Sequence, residues 1–144
     1  ACGPEALVCD EPTSNLDVSI QAQILNLFVD LKERFRLTYL FISHDLKVVE
    51  FIADRVAVMY RGRIIEVGPA GDILRDPAHP YTRLLTAAAF FRMEKVVLRI
   101  DTGTGCAFYG RCPEARRECA GAVPGLRKIA ADRSVACHFP KPRR

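Results

Sequence analysis

The chain has 144 residues, 49% of them apolar and 26% charged, with a net charge of +4, the composition of an ordinary globular domain able to bury a core. No run of about 18 apolar residues occurs, since the most hydrophobic stretch, Leu84 to Phe91, is short and flanked by Arg83 and Arg92, which excludes a membrane-spanning helix. The six cysteines follow no basic-then-apolar leader at Ala1-Cys2-Gly3-Pro4, so they are expected to be thiols, metal ligands or core residues of a cytosolic protein rather than disulfides.

Ala6 to Cys9 is a short apolar run ending in Asp10-Glu11-Pro12, which predicts a strand buried on both faces of a parallel sheet, with its acids at the carboxyl end. Asp17 can cap the helix that follows, where Ile20, Ile24, Leu27, Leu31 and Phe35 form one apolar stripe expected to pack on the sheet. Leu37 to Ser43 reads as a second buried strand with His44 just past its end, completing a βαβ unit. A short helix is expected near Asp45 to Ala53. Arg55–Tyr60 and Arg63–Val67, separated by Arg61-Gly62, predict a hairpin that adds an antiparallel edge to the same sheet. Two helical segments follow Gly68-Pro69 and Asp76-Pro77-Ala78-His79-Pro80, the second from about Tyr81 to Phe91.

From Arg92 to Gly105 the pattern weakens into a linker. The remainder, 106–144, is rich in Cys, Arg and Pro, with nine Lys or Arg against three Asp or Glu. That balance of +6 leaves −2 on the rest of the chain and can mean nucleic acid, an anionic membrane surface or simply a solvated face. Its large apolar residues are few, namely Phe108, Tyr109, Leu126, Ile129 and Phe139, so the segment needs a further staple to fold.

In open α/β sheets ligands bind beyond the carboxyl ends of the strands, so Asp10, Glu11 and His44 should converge on one crevice. Adjacent acids on a strand point in different directions. One can therefore serve a hydrated Mg²⁺ while the other reaches an attacking water. The bland reading is that the acids cap a turn and His44 is an ordinary strand-end histidine.

The wider string Leu7-Val8-Cys9-Asp10-Glu11-Pro12-Thr13-Ser14-Asn15-Leu16-Asp17 resembles the Walker B strand and D-loop of ABC-type ATPases. Phe41-Ile42-Ser43-His44-Asp45 resembles their switch-histidine loop. The resemblance implies that Asp10 helps hold Mg²⁺ with ATP, that Glu11 is the general base and that His44 contacts the γ-phosphate. Ser14, Asn15, Leu16 and Asp17 would form the D-loop facing a second ABC ATPase subunit, identical or paralogous; Asn15 stands where Ala is more usual. No G-x-x-x-x-G-K-[ST] loop, glutamine loop or Leu-Ser-Gly-Gly-Gln signature occurs in the 144 residues. By resemblance these would precede Ala1. With no initiator Met, the chain is expected to be a fragment.

Val58 to Gly68, His79-Pro80-Tyr81-Thr82-Arg83-Leu84-Leu85 and the tail cysteines resemble the ATPase subunits of oligopeptide, dipeptide and nickel importers. The family implies transmembrane permease partners, a solute-binding protein acting indirectly, the cytoplasmic face of the membrane and no nucleic acid. Taken alone, Cys106, Cys112, Cys119 and Cys137 are spaced C-x5-C-x6-C-x17-C, wider than the paired ligands of a structural zinc site. That spacing leaves open an iron–sulfur cluster, four buried thiols or, with a smaller share, zinc; the resemblance implies a [4Fe–4S] cluster. Cys2 and Cys9 are expected in the core, and His79 and His138 in loops.

The resulting expectation is an α/β fold: the C-terminal part of a RecA-like ABC nucleotide-binding domain over 1–91, a linker over 92–105 and a Cys-rich appendage over 106–144. Its function would be to couple ATP hydrolysis to import of peptides or similar small solutes. Two alternatives are a non-catalytic remnant with a structural metal site and a nucleic-acid-associated ABC ATPase.

Overall fold

The computed structural model describes residues 3–90 and 103–141. The chain is a mixture of helix and strand that divides into two compact units, Ala1–Ala53 and Asp54–Arg144. Most of the expected linker, and Cys2, lie outside the described residues. No helix among the described residues is long and apolar enough to cross a membrane.

The first unit is the expected βαβ arrangement with one more helix. Strand β1 (Ala6–Asp10) runs parallel to β2 (Thr38–Ile42), in register from Ala6 opposite Thr38 to Asp10 opposite Ile42. Helix α1 (Val18–Phe35) connects them. Its first turn is fixed by the Asp17 carboxylate, which accepts from the backbone N–H groups of Ser19 and Ile20 at 3.1 and 3.0 Å, satisfying donors that have no partner inside the helix. Arg36, in the left-handed region at φ 53°, ends it. Helix α2 (Leu46–Ile52) begins at Asp45, whose carboxylate accepts from the Lys47 N–H at 2.9 Å. The core is small. Leu25, Val48 and Ile52 are buried, with Phe28, Tyr39 and Phe41 packed against them. Phe28 meets the rings of Tyr39 and Phe41 edge-on at 5.5 and 5.7 Å, a favoured aromatic geometry.

Two sequence expectations need correction here. The strands are not buried on both faces: Val8 is 70% exposed and Leu40 61%, because α1 and α2 pack on the face that carries Tyr39 and Phe41 and leave the other bare. Nor does the stripe Ile20, Ile24, Leu27, Leu31, Phe35 face inward as a set. Leu25 and Phe28 make the contact, while Ile20, Leu27 and Phe35 are exposed. Helix α1 is apolar on more than one side, so its periodicity alone could not choose the packed face.

The second unit is an antiparallel sheet with helices beside it. Strands β3 (Arg55–Tyr60) and β4 (Arg63–Pro69) form the expected hairpin. Arg61 and Gly62 both have positive φ, 46° and 75°, the backbone of the two-residue turn that matches strand twist. Helices α3 (Ala70–Arg75) and α4 (Pro80–Ala89) follow. Beyond the undescribed stretch come a single 3₁₀ turn (Tyr109–Arg111), a short helix α5 (Arg117–Gly121) and strands β5 (Arg127–Ala130) and β6 (Arg133–Val135).

The hairpin does not extend the β1–β2 sheet. It belongs to a separate four-stranded sheet in the order β3-β4-β6-β5, the free edge of β4 being taken by the tail strand β6 through Glu66 opposite Val135 and Val67 opposite Ser134. A buried ion pair locks this union. The Arg133 guanidinium donates to Glu66 Oε1 at 2.8 Å, and Glu66 and Arg133 are 0% and 3% exposed. Glu66 also accepts the backbone N–H of Ala78 at 2.8 Å and of His79 at 3.0 Å, and Arg133 donates to the Asp76 carbonyl. One carboxylate thus ties strand β4, the tail strand and the loop before α4 together. Such a pair offsets its desolvation only when the remaining hydrogen-bonding capacity is filled, as it is here.

Candidate functional sites

In the first unit, Asp10 is the last residue of β1 and is exposed. Glu11 continues the ladder by one bond, its N–H donating to the Ile42 carbonyl at 2.9 Å, but its φ of 45° swings the chain out of the strand. A non-glycine residue in this region carries roughly 1–2 kcal/mol of strain, and the bend separates the directions of Asp10 and Glu11. Across the carboxyl end of β2, Ser43 Oγ accepts from the Asp45 N–H at 3.1 Å. His44 is thereby held between the strand and the cap of α2. Its Nδ1 lies 2.7 Å from Glu11 Oε1, and against a carboxylate that nitrogen carries the proton. The Glu11 carboxylate raises the imidazole pKa above its ordinary value, by hydrogen bond first and by charge second.

The structure therefore joins Glu11 to His44 directly, while Asp10 stands beside them without contact to either. Both paired side chains are open to solvent, 46% and 73% exposed, so an incoming molecule can reach them. Ser14, Asn15, Leu16 and Asp17 are all exposed. The turn they form is tied back by Ser14, which donates from its N–H and hydroxyl to the Glu11 carbonyl at 3.3 and 3.1 Å. Beneath it Thr13 is buried at 4% exposure and accepts from the Gln21 amide at 3.4 Å.

In the second unit, Cys106, Cys112, Cys119 and Cys137 are in no disulfide and line a single cavity together with His79, Glu114 and His138. Backbone contacts draw their segments together: the Cys106 N–H donates to the Cys119 carbonyl at 2.8 Å. Gly105 permits this approach, since a Cβ there would stand 2.2 Å from the Cys119 oxygen. Arg127 donates to the carbonyls of Cys137 and His138. Burial raises the Cys112 pKa to about 11, and that of Cys137 is raised by the same cause. Among the described residues, no three His, Cys, Asp or Glu side chains converge so as to hold a metal ion. Cys9 sits half-buried in β1 with its pKa raised by burial.

His79 is more than a loop histidine. It is 1% exposed, and its Nδ1 accepts the Tyr81 N–H at 3.0 Å as the cap of α4. Burial, the leading cause, lowers its pKa to about 4, so the ring is neutral near pH 7. Its ring packs against Phe108, which Tyr60 and Tyr81 also meet ring to ring. The partnership of Glu66 with Arg133 escaped sequence reasoning because the two lie 67 positions apart and neither belongs to a local motif.

Residues 65–119 match the family model described as "Oligopeptide/dipeptide transporter, C-terminal region". The chain is 51% identical to the di/tripeptide transport ATP-binding protein DppF of Pseudomonas aeruginosa, over 94% of this chain and 45% of the relative. A putative peptide import ATP-binding protein of Brucella ovis is 48% identical over 93% and 46%. The oligopeptide transport ATP-binding protein AppF of Bacillus subtilis is 43% identical over 94% and 45%. The chain thus spans a little under half the length of the relatives it matches, and over nearly all of its own length it is similar to ATP-binding proteins of peptide transporters.

Proposed function

We propose that these residues form the C-terminal part of the ATP-hydrolysing subunit of a peptide importer, a RecA-like ABC nucleotide-binding domain over 1–91 with a cysteine-bearing extension over 106–144. The observation that carries the reading is the Glu11–His44 pair at the carboxyl ends of two adjacent parallel strands, with Asp10 beside it. The names of the relatives support the transport assignment.

In this reading Asp10 holds the hydrated Mg²⁺ of ATP and Glu11, open to solvent, accepts a proton from the attacking water. His44 has its Nδ1 proton fixed by Glu11, and the raised pKa favours the form that also donates from Nε2, the hydrogen bond a terminal phosphate requires. The exposed turn Ser14–Asp17 meets a second ATPase subunit. Permease subunits hold the whole on the cytoplasmic face of the membrane.

For the tail, Cys106, Cys112, Cys119 and Cys137 line one cavity and are donors of the kind a [4Fe–4S] cluster takes, although among the described residues no three His, Cys, Asp or Glu side chains are placed to hold a metal ion. The cavity is narrow, about 20 Å³. Cys106, Cys112, Cys119 and Cys137 would hold the cluster, which supplies covalent cross-links and, when reduced, an electron store. Anaerobic purification should yield about four irons per chain, and Ser at any of the four positions should abolish them.

The catalytic assignment is tested in the complete subunit. Glu11→Gln should lower ATP turnover by about 10² or more while ATP binding persists, because the amide keeps the shape but cannot take the proton. Turnover within threefold of the parent would remove Glu11 from the mechanism. The 144-residue chain alone, which contains no phosphate-cradling loop, should show no nucleotide-dependent turnover.

A further inference from the structure

A second cavity, of about 230 Å³, lies between the hairpin and the tail within the second unit. Its walls are mainly apolar. Phe108, 2% exposed, and the half-buried Tyr60 contribute two aromatic rings that meet edge-on at 5.4 Å. Ile64 of β4, and Val123 and Leu126 of the loop before β5, also line it, yet they remain 44%, 47% and 49% exposed. Single exposed apolar residues are ordinary, but three that come from two separate segments onto one hollow mark a place where an apolar group can bind.

The charge of the cavity is one-sided. Among the described residues that line it, Arg63 at the start of β4 is the only charged side chain, and there is no carboxylate. His79 is present as the neutral ring, its pKa lowered by burial to about 4. A second guanidinium, that of Arg61 in the hairpin turn, lies over the Tyr60 ring at 5.7 Å, within cation–π range. A cation among apolar walls favours an anion that carries an apolar body, and a guanidinium offers a carboxylate two parallel donors. The volume limits that body, since it falls below the roughly 300–1,000 Å³ of clefts that take drug-sized molecules.

We propose that this cavity binds the C-terminal residue of a short apolar peptide, its side chain against Phe108, Ile64 and Leu126 and its carboxylate on Arg63. The site lies wholly within the second unit and depends on neither the catalytic reading nor the cluster reading. A fatty acid carries the same two groups on a longer chain, and the test separates the two.

The test is ligand binding to the complete subunit without nucleotide, measured by calorimetry and methyl NMR with N-acetyl-leucine, its uncharged amide and octanoate. N-acetyl-leucine should bind with a dissociation constant on the order of 1 mM, ordinary for a ligand of so few atoms, and should move the methyl signals of Ile64, Val123 and Leu126. The amide should bind about tenfold more weakly, and Arg63→Gln should bring the acid down to the level of the amide, the loss expected of one charge-assisted contact. Arg63→Lys should recover most of that loss, and Leu126→Ser should weaken acid and amide alike. Arg63 is exposed, so its replacements should fold, and unchanged ATP turnover checks that they do. Equal affinities of acid and amide, indifference to Arg63→Gln, or methyl signals that stay in place would overturn the proposal; octanoate binding more tightly than N-acetyl-leucine would overturn it in favour of a fatty acid.

Discussion

The two units are built on opposite plans. In Ala1–Ala53 the paired Glu11 and His44 are at the surface, the core is a few side chains around Leu25, and apolar residues such as Val8 and Leu40 face solvent. In Asp54–Arg144 charged groups are inside: Glu66 and Arg133 are almost fully buried, as are Ile73, Phe108 and Val135. The contrast suggests a division of labour. An open site is reachable from solvent, whereas a closed ionic clasp holds a cysteine-bearing tail that has few large apolar residues of its own.

The largest effect should come from breaking the clasp. Arg133→Ala leaves the Glu66 carboxylate buried without its cation and should cost about 3–5 kcal/mol, read by chemical denaturation. Replacing both partners with apolar residues, often harmless for buried pairs, should here remain destabilising, because the Ala78 and His79 N–H groups lose their acceptor at about 1–3 kcal/mol each. A neutral double replacement would show the clasp to be dispensable.

Next, Leu25→Ala should cost about 2–5 kcal/mol in the same assay, as the central buried side chain of a small core. The matching change on the bare face, Leu40→Thr, should stay within about 0.5 kcal/mol in the 144-residue chain. Equal losses at the two sites would mean that the β1–β2 face is covered after all.

Acid should find the second unit through His79. Its folded pKa lies near 4, below the ordinary 6.5, so the unfolded chain binds the extra proton. Stability from this residue is therefore complete above pH 6.5 and drains away as pH falls toward 4. At about 1.4 kcal/mol per unit the loss can reach about 3 kcal/mol. His79→Asn, which keeps an acceptor able to cap α4, should flatten that acid limb in a pH series of denaturation curves.

The smallest effect belongs to the first unit. By NMR titration His44 should ionise above 6.5, and Glu11→Gln should bring it back down, since the Glu11 carboxylate is the main cause of the shift. Because His44 is exposed, this titration should leave stability almost unmoved, the reverse of His79.

Local rules made much of this legible. The Asp17 cap, the two-residue hairpin turn at Arg61-Gly62 and the two strand segments that precede Glu11 and His44 each depend on residues within a few positions of one another, and all three appear as expected. The packed side of α1 was not legible, because Ile20, Leu27 and Phe35 repeat at helical spacing just as Ile24 and Phe28 do. His79 looked like a loop residue since capping and burial share no sequence signature with solvent exposure.

By itself, then, the sequence determined the elements before the linker and their order, the position of Asp10, Glu11 and His44 at strand ends, and the place of the four tail cysteines, but not the tail's own helix and strands. Only the tertiary structure decided that β3 and β4 leave the first sheet and recruit β6 and that Glu66 meets Arg133. The reason is physical. Capping and turn preferences act within a few residues, whereas the desolvation that makes a buried charge seek its partner acts through space and takes no account of separation along the chain.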